Sequence, residues 1–442
     1  MKKLYIILLI LPLIGFGQGW ETTFGGTDDG YGFSVQQTND GGYIITGDII
    51  YSYGSGVDVY LIKTNENGNE QWSQTFGGTN LDNGRSVQQT NDGGYIITGY
   101  TTSFGNGSRD VYLIKTDSSG NEQWTQTFGG SGGDYGHSIQ QTNDGGYIIT
   151  GYTTSFGNGN EDVFLIKTDE NGNEQWSQTF GGNERDVGNS VQQTTDGGYI
   201  ITGYTSQGID SFGNDYLDVY LIKTDQNGEE EWSQTLGSTY SDRGNSVQQT
   251  NDGGYIITGD TFNISYENIS VYLIKTDQNG EEEWSQTFGG EEVNFGKSGQ
   301  QTTDGGYIIT GYTNYFGNLE NQQWWDGTNV LLIKTDENGN EEWLQLFGGT
   351  FSDKGRSVQQ TNDGGYIITG HLETYRYGGG DVYLIKTDPQ GNIISTIEIP
   401  QTSKRELIKT INILGQEKTT IKNQPLIEIY DDGSVEKKYI IE

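Results

Sequence analysis

His137 and His371 are the only imidazoles in 442 residues. They fall in different copies of a repeat, and neither stands beside a serine-bearing motif, so their spacing assembles no Ser-His-Asp site. The absence of cysteine removes thiolate ligation, a thiol nucleophile and any disulfide framework. Carboxylates are plentiful, with 60 Asp plus Glu, and a pair of acids could hydrolyse a glycosidic bond. Most of them, however, recur at the same place in every repeat, whereas a single active site needs unique groups. The non-repeated acids Asp210, Glu267, Glu320, Asp326 and Glu373 form no recognisable motif. No catalytic residue is assigned, and a glycoside hydrolase or lyase using these acids is the less favoured reading.

Binding chemistry is better represented. Asp169-Glu170-Asn171-Gly172-Asn173-Glu174 and its copies alternate oxygen ligands, but Gly is fourth and a Trp-bearing strand follows at once. A calcium loop of the EF type needs Gly at position six and Glu at twelve. The segment therefore reads as a hairpin turn, and no metal or other cofactor is expected. Two long connections differ from the rest, 204–217 and 312–328. The first holds Phe212 and Tyr216; the second holds Tyr315, Phe316, Trp324, Trp325 and Asp326, with amides between them. Aromatic faces flanked by amides and a carboxylate suit sugar rings. These seven residues are the candidate ligand site, for a glycan or a cell-surface protein. The bland alternative is a long loop pinned down by its own tryptophans.

The elements that carry these loops come from a repeat. Seven Trp, at 20, 72, 124, 176, 232, 284 and 343, are spaced by 52, 52, 52, 56, 52 and 59 residues. Between them DGGYIITG recurs seven times, from Asp40 to Asp363, and a DVYLIKT-like block recurs as often. In one unit Ser86–Thr90, Tyr95–Thr101, Val111–Thr116 and Glu122–Phe128 read as strands a, b, c and d. Asp-Gly and Asn-Gly links between a and b and between c and d mark tight hairpins. Neighbouring strands are therefore antiparallel, which disfavours a parallel β-helix. The blocks VYLI are apolar at successive positions, as in a sheet covered on both faces. The pattern predicts an all-β fold: a seven-bladed β-propeller of four-stranded antiparallel blades over 19–391, followed by a small C-terminal β-module over 392–442. In such a ring the b–c and d–a connections share one rim, and their variation makes that rim the place for binding. Strand a, with its Gln-Gln pair, would line and solvate a narrow central channel.

Ring closure is also predicted. WETTFGG, from Trp20 to Gly26, is a complete d strand with no blade of its own, and it is expected to finish the last blade beside Val382–Thr387. Closure by 393–399 is the alternative. The formal charge of −36 disfavours nucleic acid and anionic membranes as partners, and a monomer is expected.

The order of GG, strand and Trp strand resembles Kelch-like propellers, and more closely the Trp-bearing β-propeller repeats of secreted bacterial proteins. Residues 1–18 have two Lys followed by a short apolar run and small residues, so they read as a signal peptide with no transmembrane anchor. Near the other end, ILGQE at Ile413–Glu417 and PLIEIYDDGSVEKKYIIE from Pro425 resemble the C-terminal sorting domain of type IX secretion substrates. That resemblance implies the type IX machinery as a partner and a secreted or outer-cell-surface location. The function expected is non-catalytic binding or adhesion through the variable rim, with a purely structural surface role as a further alternative.

Overall fold

The computed structural model describes residues 19–51, 56–209, 215–238, 241–263, 268–290, 293–314, 327–349, 351–373, 379–393, 407–412, 425–430 and 435–439. The chain divides into two compact units, Met1–Ile394 and Ser395–Glu442.

The first unit is a seven-bladed propeller of four-stranded antiparallel sheets. In the second blade, strands a to d are Asp82–Gln89, Tyr95–Thr101, Asp110–Thr116 and Glu122–Phe128. Strands b and d have the expected bounds, c starts one residue earlier and a starts four residues earlier. The early start matters because each a strand carries one irregularity. Gly84 faces Gly99 and Ser86 faces Thr98, leaving Arg85 as an extra residue, a β-bulge. The same bulge occurs in all seven blades. Gly99 is required opposite it, since a Cβ there would lie 1.7 Å from the Asn83 carbonyl oxygen.

Each hydrophobic core lies between blades. Ile44, Val59, Leu61 and Phe76 of the first blade pack with Val87, Tyr95, Ile97 and Tyr112 of the second. Tyr43, Ile45, Tyr60 and Ile62, on the opposite face of the first blade, pack with Ile367, Val382 and Leu384 of the last. Burial on both faces accounts for the unbroken apolar runs in strands b and c. Each fully buried Leu or Ile contributes about 1.5–3 kcal/mol. Trp72 reaches into the next blade, its ring 5.7 Å from that of Tyr95. The indole also lies on Gly120, where φ is +80° and a Cβ would stand 2.5 Å from the ring.

The ring closes through Trp20–Phe24, which pairs antiparallel with Gly380–Thr387, Trp20 opposite Lys386 and Phe24 opposite Val382. That register repeats the interior one, in which Trp124 faces Lys115 and Phe128 faces Val111. Trp20 meets Tyr43 of the first blade at 5.8 Å, the same contact that every other blade makes.

The Gln pairs do more than solvate the channel. The first Gln of a pair accepts from the backbone N–H of the second Gln in the next blade, as in Gln89 N to Gln36 Oε1 at 2.6 Å and Gln37 N to Gln359 Oε1 at 2.7 Å. The second Gln accepts from the a–b turn of the preceding blade, as in Asn39 N to Gln89 Oε1 at 2.9 Å. Two circles of hydrogen bonds therefore tie blade to blade across backbone groups that no sheet satisfies.

In the second unit, Leu407–Asn412, Pro425–Tyr430 and Val435–Tyr439 form a three-stranded antiparallel sheet in sequence order.

Candidate functional site

The two rims of the ring differ. On the rim of the a–b and c–d turns, Lys115 is buried with its ammonium 2.9 Å from Asp92, and it also donates to the Thr116 carbonyl and Gln123. Burial pushes the Asp92 carboxyl up, but hydrogen bonds from Thr90, Lys115 and the Gly94 N–H outweigh it and pull the value down to about 2. The same Lys–Asp pair stands in every blade. In the c–d turn, Asp169 Oδ1 accepts from the N–H groups of Asn171 and Asn173 at 2.9 and 2.8 Å. The oxygen alternation that resembled a calcium loop is thus a side-chain-capped turn.

The opposite rim bears the b–c and d–a connections, which touch each other through bridges such as Arg109 to Gly133 and Glu161 to Arg185. The Asp at the start of strand a braces this rim: Asp82 accepts from the Gly78 N–H and the Ser103 hydroxyl, both at 2.6 Å, and from Thr101.

The site is assembled by the bulges. In order round the ring the bulged residues are Phe33, Arg85, His137, Asn189, Asn245, Lys297 and Arg356. A bulge re-aims its extra side chain out of the sheet's alternation, and here all seven line one cavity of about 410 Å³ with Tyr100, Tyr135 and Tyr152. Directly beyond it along the a strands lies the narrower channel of about 250 Å³, bounded by Val35, Gln36 and their copies. The cavity is therefore the mouth of the channel on the variable rim.

Its walls are aromatic and cationic. Tyr135 stacks on Tyr152 at 4.3 Å and meets Tyr100 at 4.8 Å. Arg85 lies 4.1 Å over the Phe33 ring, and Arg356 is 5.8 Å from the same ring and 5.7 Å from Tyr312. Lys297 pairs with Asp260 at 2.9 Å, while Arg85 stands 4.0 Å from Asp48. Asp48 is held by Asn83 at 2.5 Å and the Gly84 N–H at 3.0 Å, yet burial dominates and raises its carboxyl to about 6. Arg356 Nε is buried without a hydrogen-bond partner. Desolvation lowers the Arg356 value and Arg85 lowers it further.

Setting aside the lysines and Arg405 of the two chain ends and the lysines copied in every blade, eight cations remain. Arg376 lies outside the described residues. The other seven, Arg85, Arg109, Arg185, Arg243, Lys297, Lys354 and Arg356, all sit over Tyr or Phe rings of this rim, within the about 6 Å over which a cation is drawn to a ring face.

Both histidines belong to this neighbourhood. His137 lines the mouth, and its Nδ1 is 3.0 Å from the Gly188 carbonyl, which can only accept, so the hydrogen is on Nδ1 and Nε2 keeps its lone pair. Desolvation first and Arg85 second depress its value to about 4. His371 is buried against Tyr31, ring to ring at 4.9 Å, and desolvation with Arg356 and Lys354 lowers it to about 3. Both are neutral at pH 7. The geometry offers ring faces, cations and amides, the groups by which a ligand is bound and oriented.

Among the sequence candidates, Tyr216 is 39% exposed on Asp215–Thr224. Phe212, Tyr315, Phe316, Trp324, Trp325 and Asp326 lie outside the described residues, as do Asp210, Glu267 and Glu320. Sequence reasoning missed the mouth because it began strand a at Ser86 and left Arg85 in a loop. The available sign was the residue before Ser in Gly-X-Ser-Val-Gln-Gln, which changes from blade to blade between a Gly and a Ser that are copied in all seven.

Residues 57–345 match the family model described as outer membrane protein assembly factor BamB. No curated protein matches the chain. Similar solved structures include a protein of unknown function from Bacteroides caccae, 14% identical, TM-score 0.39, covering 67% of this chain and 93% of that one. YCF48 bound to D1 peptide is 9% identical, TM-score 0.48, covering 85% and 96%. Puromycin hydrolase is 11% identical, TM-score 0.49, covering 91% and 58%. At these values no ligand or activity is carried over from any of them.

Proposed function

The chain belongs to the BamB family of propeller proteins, and from that premise we propose that it is a non-catalytic binding propeller, secreted or held at the outer cell surface, whose variable rim receives a glycan or protein partner. One observation carries the reading. At a single bulge position the seven blades supply Phe, Arg, His, Asn and Lys, and all of these side chains converge on one cavity. A ring that served only as a frame would gain nothing from differing there, where the flanking Gly and Ser are copied in all seven blades.

Phe212, Tyr315, Phe316, Trp324, Trp325 and Asp326 belong to connections between b and c strands and Tyr216 to the start of the strand Asp215–Thr224, and the proposal assigns all seven to the outer part of the same surface. Residues 1–18 and the C-terminal segment with ILGQE are assigned to export, first by a signal peptide and then by type IX secretion.

The test is a binding screen of the mature full chain against glycans and surface proteins, repeated with Tyr135→Ala plus Tyr152→Ala and with Trp324→Ala plus Trp325→Ala. A ligand whose affinity ignores both pairs would place binding elsewhere. Hydrolysis of a polysaccharide in the same screen would favour an enzyme using the rim carboxylates.

A further inference from the structure

We infer that the channel mouth recognises an anionic saccharide, a sugar unit bearing a carboxylate or sulfate, with the negative group held by Arg356, Arg85 and Lys297 and the hydroxyls met by Asn189, Asn245 and His137. This rests on the binding reading above and adds the chemical class of the ligand.

Charge argues first. The protein carries −36 overall, yet the described residues lining the mouth include three cations and no carboxylate. A cleft with low-dielectric walls and charge of one sign focuses its field and concentrates the opposite ion. Lys297 is engaged by Asp260, and Arg85 has Asp48 at 4.0 Å. Arg356 differs: Tyr312 and Arg85 are the ionisable groups that act on it, no carboxylate among the described residues pairs with it, and its Nε is unbonded. Arg85 and Arg356, from the blades on either side of Phe33, both lie against its ring, their guanidinium carbons 4.1 and 5.8 Å from its centre. A buried guanidinium without an acid is unfavourable in the free protein, and a ligand oxoanion would supply the missing charge through charge-assisted hydrogen bonds.

The neutral groups argue for a sugar over a peptide terminus. Asn245 Nδ2 donates to Asp260 and to the Gly296 carbonyl at 2.8 and 2.7 Å. Asn189 Nδ2 donates to the Gly244 carbonyl at 2.8 Å. Both N–H groups of Asn245 are thus committed and Oδ1 is the acceptor it retains, whereas Asn189, whose side chain also meets His137, uses one N–H on Gly244 and keeps the other, and His137 adds its Nε2 lone pair. A ligand that meets acceptors and an amide donor together with cations is matched by hydroxyls, which both donate and accept, beside an anion, which describes an acidic sugar. The cavity of about 410 Å³ falls within the range of small-ligand sites, about 300–1,000 Å³, and the tyrosine walls supply stacking for the ring's C–H faces.

Calorimetric titration of the mature full chain with oligogalacturonate, a sulfated heparin tetrasaccharide, a neutral galactose trimer and an acidic pentapeptide tests this. At least one acidic saccharide is expected to bind more than tenfold tighter than the neutral trimer, and the stronger of the two identifies the anion as carboxylate or sulfate. Arg356→Gln and Arg85→Gln should each weaken it about 10- to 100-fold, and Arg356→Lys should recover part of the loss. Unchanged melting temperatures certify that the variants fold. Equal binding of the neutral trimer with no effect of Arg356→Gln overturns the anionic assignment while glycan binding stands. Preference for the acidic pentapeptide overturns the sugar in favour of a protein partner. Silence of both acidic saccharides also overturns it, and if the wider glycan and protein screen is silent too, the binding reading falls with it.

Discussion

The two rims are built from the same four strands, yet they treat charge in opposite ways. On the rim of tight turns every cation is copied, buried and matched: Lys115 meets Asp92 at 2.9 Å, and its six counterparts do the same. At the mouth the cations differ between blades, lean on aromatic faces and are matched incompletely, Arg356 by no carboxylate among the described residues. A group repeated seven times and satisfied internally serves the frame. A group that is not copied, is desolvated and is left unsatisfied serves, on the binding proposal, something outside the chain.

Several measurements can break or sharpen this contrast. The largest effect is expected from Leu113→Ala, a fully buried side chain of the copied frame. It should lower the unfolding free energy by about 2–5 kcal/mol in denaturant titrations, with ligand affinity at the mouth unchanged. If affinity falls in step, frame and site are not separable.

Next comes the pH dependence, in which the rims should oppose each other. Asp48 has a folded value raised from 3.8 to about 6, so between those values the unfolded chain has already released the proton that the folded one retains. Stability should therefore fall as pH rises from 3.8 to about 6, by about 2 kcal/mol, and Asp48→Asn should remove this component. Asp92 works the other way. Its folded value is depressed to about 2, so its contribution is present above the ordinary carboxylate range and is lost as pH falls towards 2. A stability curve with no opposing components would dissolve the distinction.

Gln36→Ala removes one acceptor from the hydrogen-bond circle, leaving the Gln89 N–H unpaired, and should lower stability by about 1 kcal/mol. The smallest effect belongs to Arg356→Gln. Removing a desolvated and unpaired cation should leave the melting temperature unchanged or raise it slightly, a gain below about 1 kcal/mol. A marked loss of stability would make Arg356 part of the frame.

Much of the fold was legible because a propeller blade is a local object. Tyr95–Thr101 and Glu122–Phe128 could be bounded to the residue, since their hairpins are marked by Asp92-Gly93 and by Asp117-Ser118-Ser119-Gly120, where most other blades carry Asn-Gly, and their packing by apolar runs that recur in register. The closing strand was legible for the same reason, as WETTF repeats the pattern that pairs with VYLIK elsewhere. Strand a was cut short at Ser86 because Asp82 to Arg85 breaks the alternation, and the candidate site was sought in long loops while the mouth went unread. A bulge leaves no period of its own, so nothing local in Gly-Arg-Ser or Gly-His-Ser tells where the middle side chain points.

The sequence alone thus determined the blade, the number of blades and the seam, because each follows from short-range turn chemistry and from a hydrophobic pattern copied seven times. Tertiary structure decided that Phe33, Arg85, His137, Asn189, Asn245, Lys297 and Arg356, mostly some fifty residues apart in the chain, form one cavity. Convergence of that kind depends on the ring closing, which carries seven identical bulges to one axis, and the direction of a bulged side chain is fixed only once both neighbouring blades are in place.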